Sequence, residues 1–491
     1  MLKHIKFVCG VLLFLVCALI RGPVAWGEPA PPPYHVQPFL LASGPFENKS
    51  ATTIDAFSET IRLEGAAWLH FRFDTCELGS RSSLTIRSLQ DGGIQRHTSK
   101  TLVDWSNMSA VFNGDAVEIT LHVAPGDADI RFSLSQVHVG EFLKGDETSI
   151  KSLCGGDDDR GPSTDSRVGR LFYGGCTAWL TANSSFITAG HCCDWDPDDL
   201  GPQLPDGVLD LWGVVEFNIP QSLANGTTVA AAPDDQYPIV TGNVTWEFPG
   251  GGGDMGDDWC VFEVDANSNT GLFPYQAQNF FRLSTAQPPI DATIRITGCG
   301  VDQTPPGSTG GRNSDNMTLQ TASGEYKGVD IDDGKIVHEY RVDTEGANSG
   351  GPIIYNTNGH ALGVHTNSGC DEWFGTNKGT AFGRAVFYNA VNGFLGSSAR
   401  YVDNGHISTG DNGSIFHPYL SVQNGAAGIA PGGHLCIVKG TYDEALVITK
   451  AMILEAPVGS VHVGLPSSLM LEEVLPPPST PDTGEEQPPN E

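Results

Sequence analysis

The sequence predicts an all-β chain of several domains, and three observations lead there. Gly (60) and Pro (32) are plentiful while charged residues make up only 17% of the 491 positions, a balance that suits short strands and many turns better than long surface helices. Apolar residues alternate over short runs instead of recurring at helical spacing. The length allows two to four domains at roughly 100–200 residues each. The formal charge of −31, from 58 acidic and 27 basic residues, repels nucleic acid and anionic membranes. It removes those partners from consideration and identifies no substrate.

In chain order, Met1-Leu2-Lys3-His4-Ile5-Lys6 is a short basic start. Residues 7–20 are an apolar run too short for a comfortable transmembrane helix, and Ala25-Trp26-Gly27 places small residues around a spacer. Residues 1–27 therefore read as a signal peptide, and the rest as a secreted (extracellular or periplasmic) chain with no membrane segment after its removal. Residues 28–33, Glu-Pro-Ala-Pro-Pro-Pro, form a stiff linker. Residues 34–150 carry alternating strands at 60–63, 67–73, 83–88, 116–123 and 129–137, with Asp91-Gly92-Gly93 and Asn113-Gly114-Asp115 as turns. About eight strands over this length suit a β-sandwich. No catalytic set clusters in it, so it serves as a folding aid or as an accessory module that binds a substrate or a surface.

A second β-rich region covers 151–398 and opens with an acidic loop at 154–166. From 399 to 470 the texture changes to short strands at 435–438, 445–448 and 452–454. This segment resembles the opening coil of a right-handed parallel β-helix. One coil cannot bury its own face, so it is expected to pack on a neighbouring domain. Residues 471–491 are Pro- and Glu-rich, a composition expected to stay disordered.

Nine cysteines follow residue 27: Cys76, Cys154, Cys176, Cys192, Cys193, Cys260, Cys299, Cys370 and Cys436. An exported chain meets oxidising conditions, so most are expected to pair, and the odd number leaves at least one outside an internal pair. No CxxC pairs with zinc spacing occur, which argues against a structural zinc site. Asp157-Asp158-Asp159 and the group Asp194, Asp196, Asp198 and Asp199 could ligate calcium, but solvated acidic loops are the commoner outcome. Asn-x-Ser/Thr sequons begin at Asn48, Asn107, Asn183, Asn225, Asn243, Asn316 and Asn412.

Chemistry concentrates in three segments. Phe186-Ile187-Thr188-Ala189-Gly190-His191-Cys192 is an apolar strand that ends in small residues and presents a histidine, and Gly174-Gly175-Cys176-Thr177-Ala178-Trp179-Leu180 lies just upstream. Gly346-Ala347-Asn348-Ser349-Gly350-Gly351-Pro352 leads into Ile353-Ile354. A nucleophilic serine needs a tight turn whose backbone N–H groups converge on a developing oxyanion, and a base to take its proton. Small residues permit that turn. Between the two, Gly256-Asp257-Asp258-Trp259-Cys260-Val261-Phe262 carries a carboxylate at the start of a strand.

In this order the three segments resemble the chymotrypsin-like serine peptidases, over about residues 167–398. The resemblance implies a double β-barrel that hydrolyses protein or peptide substrates without metal or organic cofactor. It implies Ser349 as nucleophile, His191 as base and Asp258 as the orienting acid, with Asp257 as runner-up. The N–H groups of Ala347 and Ser349 would form the oxyanion hole. It also implies a Cys176–Cys192 disulfide clamping the histidine loop, and suggests Cys154 with Cys299.

Details place the resemblance nearer the glutamyl endopeptidases than the digestive trypsins. Asn348 stands where trypsins carry the aspartate that pairs with a freed N-terminal ammonium, and an amide cannot form that ion pair. Arg167-Val168-Gly169-Arg170 looks like an activation site, but cleavage there is not expected to act through that salt bridge. Leu362-Gly363-Val364-His365-Thr366-Asn367 resembles the strand lining the specificity pocket. His365 and Thr344, with Thr366 beside them, imply a preference for Glu or Asp, whereas Asp343 would favour Lys or Arg unless it points away and His365 is a core residue. Ala347 replaces the usual oxyanion-hole glycine, and its Cβ restricts the backbone. The alternative is therefore a weak or inactive homologue acting as a binding or adhesion protein. A polysaccharide-cleaving role would need a longer groove than the β-helix-like tail provides.

Overall fold

The computed structural model describes residues 30–144, 151–194, 209, 211–248, 255–305, 311–332, 334–407 and 410–464. The leader at 1–27, Asp196, Asp198, Asp199 and the tail at 471–491 lie outside the described residues.

Alternation builds the centre of the chain. Ala178, Leu180, Phe186, Cys260 and Phe262 point one way and fill the interior of a barrel. Their neighbours Trp179, Ile187, Trp259 and Val261 point the other way, into a second apolar cluster with Ile354, Val364 and Phe382. Such strands are buried on both faces, as all five residues of Cys176–Leu180 are.

The first barrel runs Val168–Leu171, Cys176–Leu180, Phe186–Thr188, Trp259–Val264, Gln236–Glu247 and Val214–Glu216, and closes back on Val168–Leu171. The second runs Gln320–Asp332, Thr293–Gly298, Pro352–Tyr355, Ala361–Asn367, Asn377–Ala381 and Lys335–Arg341, and closes by pairing the last strand with the first. Closure leaves no unpaired strand edge. The two rings form a chymotrypsin-like double β-barrel.

A β-sandwich precedes it. One four-stranded sheet orders Tyr34–Ala42, Arg131–Gly140, Trp68–Glu77 and Phe112–Asn113, and the other Ile54–Arg62, Ala116–Val123, Ser83–Ser88 and Ile94–His97. The strand pattern gave no sign of the helix Ser99–Asp104, which Thr98 and Thr101 close with a capping box. The sandwich core (Trp68, Phe71, Leu121, Phe132) continues into Phe172, Tyr173 and Val214 of the first barrel. Two side-chain amides fasten the joint. Gln236 accepts from Val111 N–H at 2.8 Å and donates to Val111 O at 2.8 Å, and Asn113 makes the same two-way pairing with Ala230.

The linker is laid down as well. Glu141 N–H donates to Pro33 O (2.9 Å) and Ala30 N–H to Gly175 O (3.0 Å). A Cβ on Gly175, which has φ +52°, would meet Pro31 N at 2.1 Å, so only glycine admits the linker.

The C-terminal segment stacks Ala399–Val402, His434–Ile437 and Ile453–Glu455 in parallel, and Gly440–Tyr442 on Val461–Val463 likewise. This is a short β-helix-like stack. Ala399, Tyr401, Cys436 and Val438 pack into the cluster shared with both barrels. The expected strand at 445–448 is absent: Val447 and Ile448 are exposed, because no coil among the described residues covers that stretch. Among the described residues no helix is long and apolar enough to cross a membrane.

The disulfides are Cys154–Cys370, Cys176–Cys192 and Cys193–Cys260. The suggested Cys154–Cys299 pair is therefore corrected. Cys154 sits over the second barrel against Val342, beside the loop carrying Cys370, whereas Cys299 is buried and unbonded beneath Thr177.

Candidate active site

Strand Phe186–Thr188 ends in Ala189, and a turn of 3-10 helix at Gly190–Cys192 carries the histidine. Gly190 lets that turn lie on the first barrel, since a Cβ would meet Glu247 O at 2.0 Å. Cys192 is tied to Cys176 and Cys193 to Cys260, so the turn is stapled on both sides. Asp258 immediately precedes strand Trp259–Val264. Its Oδ2 lies 2.7 Å from His191 Nδ1, and its Oδ1 accepts the His191 backbone N–H at 3.0 Å. Those contacts fix the imidazole with a proton on Nδ1 and turn Nε2 away from the acid. Nε2 is buried and has no hydrogen-bond partner among the described residues.

Asp257 does not share this role. It turns instead to Arg384 Nε at 2.5 Å and Lys335 Nζ at 3.4 Å. The runner-up for the acid is thus an ion-paired residue that does not touch His191.

Ser349 comes from the second barrel and is pressed against the first. Thr177 N–H donates to Ser349 O (2.8 Å), Thr177 Oγ1 to Ala347 O (3.1 Å) and Trp179 Nε1 to Gly350 O (2.9 Å). Thr177 follows the cysteine bonded to Cys192, so serine and histidine loops meet at one seam between the barrels. A Cβ on Gly350 would meet Thr177 O at 2.0 Å and Thr188 Oγ1 at 2.2 Å. Ala347 keeps a left-handed backbone, φ +69°, a conformation glycine adopts freely and alanine at a cost.

The loop at 154–160 braces the serine turn from behind. Asp343 accepts backbone N–H groups from Cys154 (2.6 Å) and Asp159 (2.7 Å), one on each oxygen. Burial pushes its carboxyl above the usual range, against those two donors. Arg160, almost fully buried, binds Asp158 at 2.7 Å and reaches Asn348 Oδ1 with Nη1 at 3.4 Å. Asn348 Oδ1 also accepts Glu345 N–H at 2.9 Å. Arg167 is held by Asp165 at 2.6 Å, and its carbonyl accepts Leu180 N–H at 3.0 Å. The segment that looked like an activation site is thus the first strand of a closed barrel, and Arg170 within it forms a fully buried pair with Glu216 at 2.6 Å.

His365 lies in strand Ala361–Asn367, which is buried throughout. Tyr340 O–H donates to Lys378 O (3.0 Å) and receives His365 Nδ1–H at 2.7 Å, so His365 Nε2 is an acceptor. Burial, with the nearby His191, pushes His365 down to about 3. Thr344 Oγ1 accepts from Asn377 Nδ2 (3.0 Å), and Thr366 Oγ1 donates to Asn367 Oδ1 (2.7 Å).

Sequence reasoning missed Arg160 and Thr177. Arg160 sits in an acidic loop that read as solvated or calcium-binding, and Thr177 carries no local signal of its own. The sequons divide by burial: Asn48, Asn183 and Asn316 are buried, which rules them out for glycans, while Asn107, Asn225, Asn243 and Asn412 are exposed.

No protein-family model matches the chain, and no curated protein matches it. Among solved structures, a mutant of human heparin binding protein aligns with 49% of this chain and 96% of its own length, at 13% identity and a TM-score of 0.34.

Proposed function

We propose that this chain is an exported serine endopeptidase. The observation that carries the reading is the His191–Asp258 pair at 2.7 Å, set at the seam where the Ser349 turn is pinned to the first barrel. Ser349 Oγ attacks the peptide carbonyl while His191 Nε2 takes its proton and passes it to the leaving amine. Asp258 holds the tautomer and offsets the charge on the imidazolium. The N–H groups of Ala347 and Ser349 hold the oxyanion, and water resolves the acyl-enzyme by the same route.

For specificity we favour Glu or Asp before the scissile bond. The Asp343 carboxylate is engaged by two backbone donors, so it is not presented to a basic substrate side chain. His365 and Thr344, with Thr366 beside them, are the polar groups we assign to the substrate carboxylate. Because His365 Nε2 is unprotonated, a substrate carboxylate must bring a proton onto it, and that proton makes the hydrogen bond. The oxyanion turn is ordered from inside by Arg160, in place of a freed N-terminal ammonium.

Fluorophosphonate labelling of the mature protein tests the chemistry: labelling is expected, and Ser349→Ala removes it. No Ser349-dependent labelling of folded protein would instead favour the binding or adhesion reading. Peptide-library digestion tests specificity, and cuts confined to Lys and Arg would overturn the acidic preference.

A further inference from the structure

The parallel strands of the C-terminal stack bring together three side chains that the proposed peptidase chemistry does not use. His434 and Cys436 alternate onto one face of strand His434–Ile437, and Glu455 on the next strand is the register partner of Cys436. His434 Nε2 lies 2.5 Å from Glu455 Oε2 and 3.6 Å from Cys436 Sγ, and the three donor atoms all fall within 4.8 Å of one another. Cys436 is buried and takes no part in a disulfide. His434 Nδ1 lies 3.2 Å from Leu395 O, so the ring's N–H points at a carbonyl and Nε2 is the atom turned to the thiol and carboxylate. A backbone carbonyl on the far nitrogen is how ligating histidines are commonly oriented.

From this geometry we propose that His434, Cys436 and Glu455 form a zinc site. One imidazole, one thiolate and one carboxylate suit a borderline ion such as Zn²⁺ better than the hard cations, which take oxygen alone. Donors around a tetrahedral zinc stand about 3.5 Å apart, and the 3.6 Å between Nε2 and Sγ already fits. The carboxylate is too close to Nε2 and has to swing outward. Its side chain is 39% exposed, which leaves it room to move and leaves the fourth position to water. Binding displaces the Cys436 thiol proton and any proton shared between His434 and Glu455. The site would tie two coils of the described stack together and add to its stability.

The full-length chain, freed of metal with a chelator, is titrated with Co²⁺ as a spectroscopic stand-in and then with Zn²⁺. A thiolate-to-cobalt band in the near ultraviolet is expected to saturate at one equivalent and to disappear on adding Zn²⁺. Cys436→Ser should remove the band. If that variant misfolds, Glu455→Gln, which changes a half-exposed group, should weaken Co²⁺ binding on the order of 10-fold or more. Zn²⁺ should raise the melting temperature of the parent and not that of the variants. No thiolate band in the parent, or an unchanged affinity in Glu455→Gln, would leave only a histidine–carboxylate ion pair and overturn the proposal.

Discussion

At Ala347 the backbone takes φ +69°, and the methyl is wholly buried against Val301 and Met317. The left-handed conformation costs an L-residue about 1–2 kcal/mol, yet the N–H survives and the packing holds the turn. Ala347→Gly is expected to keep full activity and to raise stability by up to about 1 kcal/mol, read from denaturant unfolding. Ala347→Val, branched at a positive φ, should lower both. Gly350 is the stricter position, because Thr177 O and Thr188 Oγ1 leave no room for a Cβ. Gly350→Ala should cost about 1–3 kcal/mol through overpacking and abolish fluorophosphonate labelling by lifting Ser349 off the first barrel. If labelling persisted at the parental rate, the seam would not be what positions the serine.

Two elements change meaning once folded. The acidic loop at 154–160 reads as a solvated stretch, but in three dimensions it is a brace: Asp343 caps its backbone, Arg160 reaches Asn348, and Cys154 is bonded to Cys370. Arg160→Met removes the side-chain partner of the half-buried Asp158 carboxylate, which keeps only the backbone N–H of residue 160, and should cost about 1–3 kcal/mol. Activity should fall with it in kcat more than in KM. If the site is ordered by Arg160 as proposed and not by cleavage at Arg167, replacing Arg167 by Gln should leave activity untouched. The sandwich, for its part, docks rather than tethers: Gln236 and Asn113 exchange hydrogen bonds across the joint, and the apolar core runs through it. Gln236→Ala leaves the Val111 N–H and C=O without partners and should destabilise sandwich and first barrel together, giving one unfolding transition at a lower temperature.

Across the whole molecule, buried histidines set the response to acid. Burial pushes His338 and His138 down to about 4 and His97 to about 3; burial together with His406 pushes His360 to about 4, and His365 falls to about 3. Each is depressed in the folded chain, so between about pH 6.5 and 4 the unfolded chain binds more protons. Stability therefore rises with pH through that window and is lost on acidification, by about 1.4 kcal/mol per pH unit for each proton taken up. Melting temperatures measured from pH 7 to 4 should fall steeply. His338→Gln should flatten the slope, since Gln takes up no proton on unfolding. The same reasoning gives cleavage after Glu a sign: the required proton on His365 is scarcer at high pH, so KM for acidic substrates should rise with pH faster than for neutral ones.

The sequence by itself determined the β character, the strand-by-strand alternation and the order of His191, Asp258 and Ser349, because side-chain period and local turn chemistry are written in neighbouring residues. It preferred Asp258 with Asp257 as runner-up, on the resemblance alone. Only the tertiary structure turned one toward His191 and the other toward Arg384, since that choice depends on what approaches from another strand. The same holds for Asp343, whose partners lie almost two hundred residues upstream, for Cys154, and for the His434, Cys436 and Glu455 cluster. A search for closely spaced cysteines passes over that cluster, because its third member comes from the next coil of the stack. Long-range pairing made each of these decisions, and no local pattern encodes it.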